Sequence, residues 1–403
     1  MDATAFRPKT VVAKAARRCC ARTIAGAALA VLGFVLTGCS SSTSLATPTS
    51  DRPGSQAGAV RRLPSALGAP QQGVYLGAWV NPAGGAQTPA PQQVIAQTAA
   101  LESTMPRNLA IHLHYLFWSD LKSIASNPEI LDDIKHSRIP LISWHCKDDL
   151  QNPALNLSGI ATSPAAVADL TTIGQQLALL QAPDGSAYPV MLRWFWEFNL
   201  NSVDGGQGIN GNDGCFDGDK SDYPTEFISA WRKISTTLRA VTPQPNFSMV
   251  WNPNVVNAIS SAGPYAAFYP GPASVDWIGF DGYDKENTAG NPIGFSSVFA
   301  GDLRAVAVTN RSMYGGKPLI IGETGSCNEY ADPDTQAEYL SAVSTTLKSG
   351  VPWSSVGALT YFDAPGSYTL PNDGHCTYSL QSGLAQWDAL SANPYFEAFA
   401  NIP

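Results

Sequence analysis

Two carboxylates stand where carboxylates are seldom found. Glu197 closes the run Val190-Met191-Leu192-Arg193-Trp194-Phe195-Trp196-Glu197, and Glu323 closes Lys317-Pro318-Leu319-Ile320-Ile321-Gly322-Glu323. Glutamate is depleted in β-strands and is rarely buried without a partner. At the end of an apolar run it is a solvated loop residue, half of an ion pair, or a group placed for chemistry. Two of them facing across one cleft suit the cleavage of a glycosidic bond. One protonates the leaving oxygen, and the other attacks the sugar or activates water. An apolar wall raises the pKa of the acid partner. Phe195, Trp196 and Phe198 are expected to build that wall around Glu197. Strand alternation puts Arg193 on the same side as Glu197, where a guanidinium can position a carboxylate or a sugar hydroxyl.

The elements that must hold these groups follow from periodicity. Eight short apolar runs read as strands: Val74–Trp79, Leu109–Tyr115, Pro140–His145, Val190–Phe195, Phe247–Trp251, Val275–Phe280, Leu319–Glu323 and Val356–Tyr361. Amphipathic stretches lie between them, among them Ala166–Leu180, Pro224–Val241, Phe295–Val308 and Asp334–Leu347. Strands alternating with helices imply parallel βαβ units, and eight such units imply a (β/α)8 TIM barrel with enlarged βα loops. A doubly wound sheet is the alternative, but no Gly-rich dinucleotide fingerprint follows the first strand. In a barrel the site gathers at the C-terminal strand ends, which is where Glu197 and Glu323 fall. Trp79, Trp118, Trp144, Trp194, Trp251 and Tyr361 also fall at or near strand ends. Some should stack on sugar rings, Trp79, Trp251 and Tyr361 among them, while parity assigns Trp194 to the core. His112 and His114 share a strand face, His114 expected in the cleft and His112 inside the domain.

These motifs resemble glycoside hydrolase family 26, the β-mannanases and related endo-β-glycanases of the large retaining (β/α)8 clan. The resemblance covers roughly residues 73–400. It rests on Arg193 four residues before Glu197, on Glu197-Phe198-Asn199, on Val250-Trp251-Asn252-Pro253-Asn254, and on Asp281-Gly282-Tyr283 ahead of Glu323. It implies that Glu197 on the fourth strand is the acid/base, that Glu323 on the seventh is the nucleophile, and that Tyr283 hydrogen-bonds the nucleophile. It implies sugar contacts from His145 and from the Asn199, Trp251 and Asn252 motif positions. It also implies retaining double displacement with the carboxyls about 5–5.5 Å apart. One position departs from the family: Trp196 stands where the mannanases carry His. That change puts mannan specificity in question and admits another β-glycan or a bacterial exopolysaccharide. The expected substrate is a β-linked polysaccharide. The alternatives are a transglycosylase and a non-catalytic glycan-binding lipoprotein on a hydrolase-like barrel.

Charge and cysteine usage speak to compartment. The 403 residues carry 24 Lys+Arg against 32 Asp+Glu, a net charge of −8, which disfavours a nucleic-acid partner. Six bases (Arg7, Lys9, Lys14, Arg17, Arg18, Arg22) and one acid, Asp2, lie within residues 1–38. They precede an apolar run from Ile24 to Leu36 that is short for a membrane span. Leu36-Thr37-Gly38-Cys39 resembles a bacterial lipobox. Residues 1–38 are therefore expected to be a lipoprotein signal peptide, with Cys39 acylated, 39–72 a flexible Ser/Pro/Gly tether, and 73–403 the catalytic domain. The protein is expected in the bacterial cell envelope, lipid-anchored and monomeric. Cys146, Cys215, Cys327 and Cys376 remain. Spacing alone allows three pairings. The adjacency of loops in a barrel favours Cys146–Cys215 and Cys327–Cys376. No zinc-ligand spacing occurs, and Asp213, Asp217, Asp219 and Asp222 lack the pattern of a calcium loop. No metal and no cofactor are expected.

Overall fold

The computed structural model describes residues 67–82, 89–146, 156–200, 215, 222–242, 246–256, 264–284, 292–327, 335–364, 368–369 and 375–397. The expected signal peptide, Cys39, most of the expected tether, and Asp213, Asp217 and Asp219 lie outside these residues. The elements in chain order are β1 (Val74–Val80), α1 (Pro91–Glu102), β2 (Ile111–Leu116), α2 (Trp118–Leu121), α3 (Pro128–Lys135), β3 (Ile139–Trp144), α4 (Leu157–Thr162), α5 (Pro164–Ala178), β4 (Val190–Trp194), α6 (Tyr223–Val241) and β5 (Phe247–Trp251). They continue with β6 (Trp277–Asp284), α7 (Phe295–Arg304), α8 (Arg311–Tyr314), β7 (Leu319–Ser326), α9 (Thr335–Leu347), β8 (Val356–Asp363), β9 (Tyr368–Thr369), β10 (His375–Cys376), α10 (Leu384–Ala392) and β11 (Phe396–Glu397).

Strands β1 to β8 pair in parallel with their sequence neighbours, and β8 closes on β1 through Tyr75↔Ala358 to Val80↔Asp363. This is the closed eight-stranded barrel that the alternating runs predict. Helix starts follow local chemistry. Asn127 accepts from the Glu129 and Ile130 amides ahead of Pro128, and Ser163 accepts from the Ala165 amide ahead of Pro164. Each side chain satisfies donors that a helix start leaves open, and proline at the first position gives up no intrahelical bond.

Alternation sorts side chains into two cores. Tyr75, Ile111, Leu113, Leu141, Met191, Val250, Trp277, Ile320 and Ala358 fill the lumen. Their strand neighbours, including Leu192, Trp194, Trp251, Leu359 and Tyr361, pack outward against the helices. The lumen is plugged from below. The Leu67 carbonyl accepts the Trp277 indole N–H at 2.6 Å, and the Leu67 side chain packs on the lumen cluster. Leu67, within the expected tether, therefore packs with the barrel. β11 lies beside β1, pairing Val74↔Phe396 and Tyr75↔Glu397.

The expected β6, Val275–Phe280, is displaced. The strand runs from Trp277 to Asp284, with a register shift between Phe280 and Asp281. Asp281 and Tyr283 are thus strand residues. β4 is shorter than expected and ends at Trp194.

Candidate active site

The upper lumen is polar. Arg193, from β4, is wholly buried and sits between two carboxylates. Its Nη1 donates to Asp281 Oδ1 and Oδ2 at 2.8 and 2.9 Å, its Nη2 contacts Glu323 Oε1, and its Nε donates to Ser143 Oγ at 3.1 Å. Space for this cluster comes from two glycines. A Cβ on Gly279 would meet Asn252 Oδ1 at 1.9 Å, and one on Gly322 would meet Asn252 Oδ1, Asp281 Oδ1 and Arg193 Nη1 at 2.2, 2.7 and 2.8 Å. Glycine inside a strand marks such close approaches.

Glu323 is held by three donors. Besides Arg193, the Tyr115 hydroxyl donates to Oε1 at 2.6 Å and the Tyr283 hydroxyl donates to Oε2. Burial, and then the charge of Glu323, push both phenols well above the ordinary tyrosine pKa, so both stay protonated donors. Burial likewise pushes the Asp281 carboxyl well above its usual range. Arg193 opposes that shift, while Glu323 and Glu197 add to it.

Glu197 is placed by a different device. Phe195 and Glu197 both adopt left-handed backbone, φ +48° and +53°, a conformation uncommon outside glycine and found at functional sites. The Glu197 amide donates to the Asn252 carbonyl at 2.8 Å, and the Asn254 amide group donates to Glu197 Oε1 at 2.6 Å. Asn254 is fixed in turn by Asn199, whose Oδ1 accepts from the Asn254 amide and whose Nδ2 donates to the Asn254 carbonyl. One carboxylate oxygen from each of Glu197, Asp281 and Glu323 lies within 4.8 Å of the other two. The Arg193 guanidinium already supplies a cation to this group.

An aromatic arc surrounds Glu323. Trp79 meets Tyr115 edge-on at 4.9 Å and Phe362 at 4.2 Å, and Tyr115 meets Trp196 at 5.1 Å. Trp196 meets His145 at 5.0 Å, and His145 stacks on Phe117 at 4.2 Å. Tyr283 packs on Tyr378 at 4.8 Å.

The structure brings Glu197, Glu323, Tyr283, Arg193, His145, Trp196 and Trp79 together, and it moves other expected residues away. Trp251 is wholly buried, donates to the Phe268 carbonyl and packs on Phe198, Tyr265 and Tyr269 in the helix layer, so it cannot face a sugar. Tyr361 is wholly buried against Trp387 and Gln336, for the same reason of parity. Asn199 and Asn252 are buried and act as scaffold, not as sugar contacts. Phe195 and Phe198 turn into the helix layer with Phe227, leaving Trp196 as the aromatic wall beside Glu197. His114 does not line the cleft. Its Nε2 bonds Asp133 and its Nδ1 bonds Glu129, both on α3, while His112 Nδ1 takes the other Asp133 oxygen. Three of these four ring nitrogens are spent on carboxylates, and His112 Nε2 faces Thr98 Oγ1 at 3.4 Å, so none points at an open ligand position.

Tyr115, Asn254, Asp281 and Ser143 were not among the expected site residues. Tyr115 had a readable signal, since it shares strand parity with Ile111 and Leu113 and lies one residue from the end of its strand. Cys146 is joined to Cys215. Cys327 is disulfide-bonded, and the side chain of its expected partner Cys376 lies outside the described residues.

No protein-family model matches the sequence. No curated protein matches it either. Solved structures do. The catalytic domain of a GH26 endo-β-1,4-mannanase from Bacillus sp. JAMB-750 aligns with TM-score 0.57 at 17% identity, over 82% of this chain and 88% of that one. An endo-β-1,4-mannanase double mutant from Cellulomonas fimi gives 0.56 at 19% identity, over 82% and 73%. A GH26 β-mannanase from Bacteroides ovatus gives 0.52 at 14%, over 83% and 92%. At these identities the likeness is one of fold. The chain is a (β/α)8 barrel of the kind found in the GH26 glycoside hydrolases.

Proposed function

We propose that this chain is a retaining, endo-acting glycoside hydrolase that cleaves a β-linked polysaccharide, a β-mannan or another β-glycan. The observation that carries the reading is the approach of Glu197 and Glu323 to within 4.8 Å between carboxylate oxygens. Retaining enzymes hold their carboxyls about 5–5.5 Å apart, whereas inverting enzymes need about 6.5–9.5 Å to admit a water. Glu323 attacks the anomeric carbon while Glu197 protonates the leaving oxygen. Glu197 then takes a proton from the water that releases the sugar. Arg193, Tyr115 and Tyr283 fix the Glu323 carboxylate, and Asn254 fixes that of Glu197. Trp79, His145 and Trp196 line the cleft and offer ring surface to pyranose faces. The lipobox at Cys39 supports a lipid-anchored protein of the bacterial envelope, acting as a monomer.

The test is a polysaccharide panel of mannan, glucomannan, mixed-linkage glucan, xylan and bacterial exopolysaccharide, read by reducing-end release and product anomer. We expect β-anomer product from at least one polymer, abolished by Glu197→Ala and by Glu323→Ala. Release of α-anomer would overturn the retaining mechanism. Equal retardation of wild type and both variants on glycan gels, with no release from any polymer, would favour a binding protein.

A further inference from the structure

We infer that Tyr115 acts with Glu323 in the second half of the reaction, pinning Oε1, leaving Oε2 as the attacking atom, and assisting that carboxylate's departure from the sugar. The inference rests on the reading of the chain as a retaining glycoside hydrolase.

An ionised carboxylate offers about four lone-pair positions. Glu323 engages three of them. Among the described residues, Oε1 takes Arg193 and Tyr115, and Oε2 takes Tyr283 alone. The remaining position is on Oε2, so Oε2 is the oxygen that bonds to the anomeric carbon. In the first half, the C1–Oε2 bond forms as the bond from C1 to the leaving oxygen breaks, and that oxygen takes the proton of Glu197. In the second half, water attacks C1 and gives its proton to Glu197, and the C1–Oε2 bond breaks with its electron pair returning to Glu323. Carboxylate charge is lost in the first half and regained in the second. A donor fixed on Oε1 favours the charged form, so it restrains attack and promotes departure.

The barrel holds Tyr115 for this task. Its ring is gripped edge-on between Trp79 at 4.9 Å and Trp196 at 5.1 Å. Trp196 occupies the position where the resembling family has His, and here it presents a ring to Tyr115. The phenol keeps its proton, as burial and the neighbouring Glu323 charge dictate. It is a positioning residue that works through Glu323 and takes no proton itself.

The decisive variant is Tyr115→Phe, which keeps the ring between the two tryptophans and removes only the hydroxyl. The probes are the 2,4-dinitrophenyl β-glycosides of mannobiose, cellobiose and xylobiose, whose leaving group makes the first half fast. We expect kcat to fall on the order of 10- to 100-fold, the loss of one hydrogen bond to a charged group. A burst of dinitrophenolate approaching one equivalent per enzyme should appear, with a disaccharide adduct on Glu323 in the intact mass. kcat/KM, which reports the first half, should change much less. An unchanged kcat without a burst, or equal loss in kcat and kcat/KM, would overturn the inference while leaving the hydrolase reading intact. Wild type inert toward all three glycosides and every polymer of the panel would remove the hydrolase reading and this inference with it.

Discussion

Arg193→Met removes the one cation that, among the described residues, Asp281 and Glu323 share. Both carboxylates are buried, at 0% and 3% exposure, and Asp281 receives both of its short charged bonds from Arg193. Breaking a buried ion pair from one side costs about 3–5 kcal/mol. For a domain of this size roughly 1.4 °C of melting temperature is lost per kcal/mol, so the expected fall is about 4–7 °C. The loss should depend on pH in a stated direction. Burial already lifts Asp281 above its unfolded pKa, and without Arg193 the lift grows. Folding then takes up a proton, so the stability of the variant is greatest at low pH and declines as pH rises. Calorimetry at pH 5 and pH 8 should show a smaller deficit at pH 5. Adding Asp281→Asn to Arg193→Met should recover at least about 1 kcal/mol, because a neutral amide replaces an unpaired charge. A deficit below about 1 kcal/mol, or one that is flat with pH and unrelieved by Asp281→Asn, would refute the shared-cation account.

Asn254→Ala frees the Glu197 carboxylate from its 2.6 Å amide bond; kcat on the active polymer should drop about tenfold with KM little changed, as steady-state kinetics would show. His114 is lowered by burial but raised more by Asp133 and Glu129, to about 9. Its stabilisation is complete below about pH 6.5, is lost as pH rises through 9, and is on the order of 3 kcal/mol. Urea unfolding of His114→Gln should therefore differ from wild type at pH 6.5 and converge toward it at pH 9.5. Deleting residues 1–72 should lower the melting temperature relative to deleting 1–60, because the Trp277 indole then loses its acceptor at Leu67 and the lumen loses its cap; about 1–3 kcal/mol is expected.

The barrel was legible because each strand carries an apolar run of strand length and each helix carries its own period. Parity within those runs held further information that the strand-end rule obscured. Trp251 follows the lumen residue Val250, and Tyr361 lies three places after the lumen residue Ala358, so both had to point outward. His112 and His114 alternate with Ile111 and Leu113 in the same way. The position of Glu197 could not be read from alternation, because left-handed backbone at Phe195 and at Glu197 itself breaks the strand pattern. Asp281 was obscured by its glycine neighbour, since Asp-Gly reads as a turn; here that glycine lies under Val298, Val255 and Phe299. Asn254 had no local signal. Its role arises from β5 lying beside the end of β4, a contact that only the folded barrel creates.

The cap at Leu67 has a consequence for how the molecule meets its surroundings. The chain enters at the N-terminal ends of the strands, and β11 lies beside β1 at that same end. Glu197 and Glu323 lie toward the other end, Glu323 about 13 Å along β7 from its first residue, Leu319. Any support that grips the protein at Leu67 therefore meets the closed end of the barrel, opposite the Glu197–Glu323 pair.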